Sequence, residues 1–111
     1  MSYSVFVLDD AEQDLWRIHA YIQSQFSESL ANEICQEIRN GILLLEENPN
    51  LGPIIPQLAA LGMNNYRHMV VMGKNRVVYE LDQINRFAYV YLICNDRQDY
   101  DSVLMHRIIQ S

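Results

Sequence analysis

The chain is poor in the residues that several function classes need. Its 111 residues include two cysteines, three prolines and four glycines, and eight Lys and Arg stand against fourteen Asp and Glu, for a formal net charge of −6. No apolar run approaches the roughly 20 residues that span a bilayer, so no membrane association is expected. The opening Met1-Ser2-Tyr3-Ser4 lacks the basic region of a signal peptide, which points to the cytoplasm. Cys35 falls in a helical pattern and Cys94 in a strand pattern, which suits buried reduced thiols better than a disulfide. The three histidines and two cysteines are scattered at no ligand spacing, so neither a metal nor any other cofactor is expected. There are no repeats and no low-complexity tract. Half the residues are apolar, enough for one compact domain over residues 1–111 and too few for two.

Scarcity of basic residues argues against non-specific nucleic-acid binding, whose affinity comes from neutralising phosphates, and direct sequence-specific DNA binding is not expected. The charge is unevenly spread. Residues 1–63 carry nine acids against Arg17 and Arg39, a net of −7, whereas residues 64–111 carry five acids and six bases, a net of +1. The arginine-bearing part is the natural place to look for a partner surface.

Tyr3 to Leu8 alternates and reads as a short strand, with Asp9 or Asp10 as the N-cap of a following helix. Leu15, Ile18, Tyr21, Ile22 and Phe26 repeat at helical spacing and define its apolar face. Ser27 caps a second helix with Leu30, Ala31, Ile34, Cys35, Ile38, Ile42 and Leu45 inside, ending near Glu47 because all three prolines follow between positions 49 and 56. The short link makes the two helices an antiparallel hairpin. Strands follow at about 66–72, 76–81 and 86–94, joined by hairpin-sized links, and Tyr100, Val103, Leu104, Arg107 and Ile108 space a closing helix.

A two-residue turn at Gly73-Lys74 places Arg67 opposite Glu80, Met69 opposite Val78 and Val71 opposite Arg76. The next hairpin then sets Glu80 by Phe87, Val78 by Tyr89 and Arg76 by Tyr91. One face thereby carries Arg67, Arg76, Glu80, Phe87, Tyr89 and Tyr91. The more apolar one carries Tyr66, His68, Val70, Val77, Tyr79, Leu81, Ala88, Val90 and Leu92, and the helical hairpin is expected to cover it. Arg67 then has an ion-pair partner in Glu80, and Arg76 is free to stack on Tyr91 or meet a partner. Arg97 lies among Asp96, Asp99 and Asp101. His68 reads as a core histidine, His19 as a solvated one and His106 as a charge suited to a helix C-terminus.

This order of elements resembles the ParE/RelE superfamily of bacterial type II toxins. The residues that carry the resemblance are Asp14-Leu15, Ile18 and Tyr21-Ile22 in the first helix, and Leu44 to Pro49 with Gly52. Gly62 with Tyr66-Arg67, Arg76-Val77-Val78-Tyr79, and Arg97 with Val103 complete them. It covers nearly the whole chain and implies an α+β RelE/ParE-like fold: a short N-terminal strand, an antiparallel helical hairpin, a three-stranded antiparallel sheet and a C-terminal helix. It also implies the toxin of a toxin-antitoxin, or plasmid stabilisation, system, which arrests growth until a cognate antitoxin neutralises it. Members either inhibit DNA gyrase, in the ParE branch, or cleave messenger RNA on the ribosome, in the RelE branch.

Arg76 and Arg97 match arginines that serve catalysis in the RelE branch, and Arg67 sits where that branch has a basic residue. The position where RelE relatives place a proton-donating Tyr holds Val103. A ribonuclease would therefore have to draw on Arg67, Arg76, Arg97, Tyr100 and His106. Arginine stabilises a charged phosphorane well but is a poor acid or base. The missing donor and the net acidity favour a gyrase inhibitor that is not an enzyme. Its target-binding residues would be Arg76, Tyr89, Tyr91, Arg97 and Tyr100. A non-toxic interaction module with the same fold is the third possibility.

Overall fold

The computed structural model describes residues 2–95 and 98–109. Strand β1 (Ser4–Val7) leads into helices α1 (Asp9–Gln25) and α2 (Glu28–Leu43), and a 3-10 turn spans Leu44–Glu46. A short helix α3 (Pro56–Ala59) precedes strands β2 (Tyr66–Val71), β3 (Asn75–Asp82) and β4 (Phe87–Asn95), and helix α4 (Tyr100–Ile109) closes the chain.

Ser27 caps α2 as expected, its Oγ accepting from the Leu30 N–H at 3.1 Å. The first helix starts differently: Leu8 is its N-cap, with no side-chain cap bond, and Asp9, Asp10 and Glu12 lie in the first turn. There they suit the positive end of the helix. The apolar face also ends early. Phe26 leaves helical geometry and is exposed, while Ala11, Leu15, Ile18 and Ile22 pack inside with Ala31, Cys35, Ile38 and Ile42 of α2.

The sheet has four strands in the order β1-β4-β3-β2, rather than three strands with a separate N-terminal one. β1 lies parallel to β4, Ser4 beside Phe87 and Val7 beside Val90. The helical hairpin supplies the crossover that a parallel neighbour needs.

The hairpin registers differ from those expected. Arg67 faces Tyr79, Met69 faces Val77 and Val71 faces Asn75, because Met72 and Gly73, both with positive φ (57° and 73°), occupy the turn. Register follows the buried face here: this pairing brings Met69 and Val71 to the helices beside Val77 and Tyr79. In the next pair Asp82 faces Phe87 and Glu80 faces Tyr89, and the register shifts at Val78/Tyr79.

Two cores result. The helical hairpin covers Met69, Val77, Tyr79, Leu81, Ala88, Val90 and Ile93, so β3 and the first half of β4 face as expected and β2 is reversed. The opposite face, where Arg76 was expected to stack on Tyr91 or meet a partner, is not left open. It packs instead around Tyr66, Val78, Leu92 and Cys94, with Leu104 of α4, Leu58 of α3 and Ile55, the residue before α3.

Candidate functional site

The arginine and tyrosine face is built mostly from alternate residues of the sheet and roofed by α4. Tyr100, in the first turn of α4, lies under Arg76, whose guanidinium carbon is 4.2 Å from the ring centroid. That corrects the expected stacking on Tyr91. His68 stands beside the same ring at 6.1 Å. Among the described residues neither its Nδ1 nor the buried Tyr100 hydroxyl has a hydrogen-bond partner. Burial pushes the Tyr100 hydroxyl up in pKa and Arg76 pulls it back. Burial raises the Cys94 thiol to about 11, with Arg76 opposing, so this cysteine is an inert thiol at neutral pH.

Arg67 does not pair with Glu80. Its Nη1 donates to the Gly52 carbonyl at 2.7 Å and fastens the Pro-containing loop to β2. Glu80 accepts from Asn65 Nδ2 at 2.7 Å and from the Tyr91 hydroxyl at 3.0 Å. Burial and that carboxylate together hold Tyr91 protonated well above the ordinary phenol range. Tyr89 lies toward the uncovered end of the sheet, stacked on Phe6 at 5.6 Å and edge-on to Phe87 at 6.0 Å. Phe6 itself is 42% exposed. His106 is exposed on α4, away from the buried Leu104. Arg97 lies outside the described residues. The structure thus brings Arg76 and Tyr100 together, leaves Tyr89 and Tyr91 in separate surroundings, and gives Arg67 a loop-anchoring role.

What holds α4 over this face is a pair that periodicity alone overlooks. Asp14 of α1 is only 6% exposed. Its Oδ2 accepts from Arg107 Nη1 and its Oδ1 from Arg107 Nη2, both at 2.9 Å, and Oδ2 also accepts from the Ile93 N–H at 3.0 Å. Arg107 Nη1 further donates to the Tyr91 carbonyl at 2.8 Å. β1 pairs with β4 only as far as Val90, so Ile93 and Tyr91 sit on an edge that no described strand satisfies. Asp14 and Arg107 satisfy it and join α1, β4 and α4. A signal existed: each is a charge set within an apolar helical stripe, one of each sign.

His68 carries a pH dependence. Burial, followed by the nearby Arg76, lowers its pKa from the model-compound value of 6.5. Below about pH 6.5 the unfolded chain takes up a proton that the folded chain refuses, so unfolding becomes easier as pH falls, until the folded imidazole also titrates. We expect Tm to decline between about pH 6.5 and 5 for the native chain, with a shallower decline in His68→Phe. Parallel slopes in thermal melts would contradict this.

Residues 5–100 match the sequence profile of the ParE toxin of type II toxin-antitoxin system, parDE. The chain belongs to the ParE toxin family. No curated protein sequence matches it at a significant level, but solved structures do. The chromosomal ParDE toxin-antitoxin system from P. aeruginosa superposes with a TM-score of 0.68 at 14% identity, over 85% of this chain and 96% of that one. A mutant of E. coli toxin RelE in the free state gives 0.67 at 11% identity, over 99% and 98%. The toxin-antitoxin complex RelBE2 from Mycobacterium tuberculosis gives 0.54 at 14%, over 86% and 99%. These likenesses fix a fold shared by ParE and RelE proteins, and the profile match assigns the chain to ParE. In this ParE-family chain no described helix is long and apolar enough to cross a membrane.

Proposed function

We propose that the protein is the toxin of a type II toxin-antitoxin pair, that it acts on DNA gyrase, and that a cognate antitoxin neutralises it. The observation that carries the choice of target is the closed state of the Arg76 site. A nuclease needs a proton donor that reaches the leaving oxygen, within about 3 Å. Here Arg76 is stacked on Tyr100, the Tyr100 hydroxyl is buried, and Val103 packs toward the core beneath α4. The net charge of −6 also suits a protein target better than ribosomal phosphate.

An inhibitor acts through surface rather than through one reactive group. Tyr89, one of the residues expected to contact the target, stacks on the exposed Phe6, and we take its cluster with Phe6 and Phe87 as part of the contact. Arg76, Tyr91, Arg97 and Tyr100 are retained in the proposal as flanking or supporting residues. Induced expression of single variants tests this. Arg76→Ala and Arg97→Ala are expected to retain growth arrest, whereas Phe6→Ser with Tyr89→Ser weakens it while the protein stays folded. Complete loss of arrest in a folded Arg76→Ala protein would instead favour messenger RNA cleavage. Absence of arrest by the unmodified chain would favour an interaction module.

A further inference from the structure

The two edges of the sheet are β2 and β1, and they are protected unequally. Along β2 the Ile55 N–H donates to the Tyr66 carbonyl at 3.0 Å and the His68 N–H to the Pro53 carbonyl at 3.2 Å, so the Pro-containing loop covers part of that edge. β1 is barer. The Ser4 N–H donates to the Arg86 carbonyl at 2.9 Å and the Leu8 N–H to the Val90 carbonyl at 3.1 Å, which turns the backbone groups of Ser4, Phe6 and Leu8 toward β4 and those of Val5 and Val7 outward. Among the described residues no backbone group meets the outward N–H and C=O of Val5 and Val7. Tyr3, one step earlier, is engaged: its N–H donates to the Glu46 carbonyl at 2.7 Å.

An edge that stays unpaired is normally blunted by charge, proline or a bulge. Ser4-Val5-Phe6-Val7 has no charge and no proline, and it pairs with β4 in unbroken register. Its side chains divide between two faces. Val5 and Val7 pack against the core beneath the helical hairpin, whereas Phe6 meets Phe87 at 5.2 Å and Tyr89 at 5.6 Å on the other side.

We propose that two copies of this chain join edge to edge through β1, antiparallel about a two-fold axis at Phe6, so that Phe6, Phe87 and Tyr89 of both copies form one continuous aromatic surface. Geometry selects both the occupant and the register. Only residues whose backbone groups point the same way can pair, so the axis falls on a residue, at Val5, Phe6 or Val7. At Val5 the partner's strand would lie against Tyr3, where Glu46 already stands, and at Val7 it would meet Asp9, which is already helical. At Phe6 the extended run from Ser4 to Leu8 maps onto itself. Val5 of each copy then exchanges both main-chain bonds with Val7 of the other, four bonds in all, and the two Phe6 side chains lie directly opposite on one face. A strand of other sequence lacks this match, since only a second copy presents the same run between the same two blocks. The shared net charge of −6 opposes the approach, but it is screened beyond about 8 Å at physiological salt. The use of the joined surface rests on the target-contact reading of this cluster; its formation does not.

Sedimentation of the purified full chain at about 100 μM is expected to give twice the chain mass, since a contact with a Kd of about 10 μM is mostly formed there. Phe6→Cys should yield a disulfide-linked dimer in air, because Cα atoms directly opposite in such a pair lie about 4.5 Å apart. Ser4→Cys, about 14 Å from its counterpart in this register, should not. Cys35 and Cys94 are buried and do not compete. Val7→Pro removes two of the four main-chain bonds at an edge that tolerates proline, and it should weaken pairing about tenfold or more. A single-chain mass, a dimer that folded Val7→Pro leaves unchanged, or cross-linking of Ser4→Cys as readily as of Phe6→Cys would overturn the proposal. If Val7→Pro does not fold, the two cysteine variants decide. All of this is read on the purified chain alone, so the gyrase reading stands or falls separately in the supercoiling assay.

Discussion

Asp14→Asn is expected to cost about 3–5 kcal/mol of unfolding free energy and to lower Tm by more than about 10 °C. The Asp14 carboxylate accepts from two nitrogens of Arg107 and from the Ile93 N–H, and Arg17 adds a more exposed contact at 3.0 Å. An asparagine has one acceptor oxygen where three buried donors converge, and its amide would turn N–H toward N–H. It also leaves the Arg107 guanidinium, only 18% exposed, without its counter-charge. Arg107→Met should cost less, because it removes the buried cation and leaves Asp14 bonded to Ile93. The double variant should be more stable than the sum of the two single losses implies, since the residues share one bond network. Urea melts of the four proteins measure this, and a loss under about 1 kcal/mol in Asp14→Asn would show that the pair contributes no more than a surface ion pair.

Gly52→Ala is expected to destabilise by at least about 3 kcal/mol, although it adds a single methyl group. The new Cβ would lie 2.0 Å from the His68 oxygen and 2.5 Å from its carbonyl carbon. Backbone cannot swing aside as a side chain does. The loop is tied at the same place: the Gly52 N–H donates to the Tyr79 hydroxyl at 3.0 Å, that hydroxyl donates to the Pro49 carbonyl at 2.8 Å, and Arg67 holds the Gly52 carbonyl. Relieving the clash breaks these bonds and loosens the segment that seats Ile55 and Leu58 against the second core. Hydrogen exchange should show the His68 amide, bonded to Pro53, losing protection first. Native-like protection with unchanged urea stability would contradict the account.

Helix periodicity, proline placement and the Ser27 cap make the helical hairpin and the order of elements legible in the sequence alone. The registers are not. Turn chemistry favoured Gly73-Lys74, but burial of Met69 and Val71 moved the corner to Met72-Gly73 and turned β2 over. That reversal took Arg67 from Glu80 to the Gly52 carbonyl. Non-local pairing hid the rest. Nothing local indicates that β1 stops short of Ile93, so the role of Asp14 and Arg107 at that edge emerges only once α1, β4 and α4 are assembled. For the same reason Tyr100 could be placed one turn before Val103 but not beneath Arg76.

The reading as a gyrase inhibitor is tested most directly by incubating the purified chain with gyrase, ATP and relaxed plasmid, beside a translating extract containing a reporter transcript. The expected result is loss of supercoiling or accumulation of broken plasmid, with the transcript intact. Undisturbed supercoiling together with a cleaved transcript would contradict it.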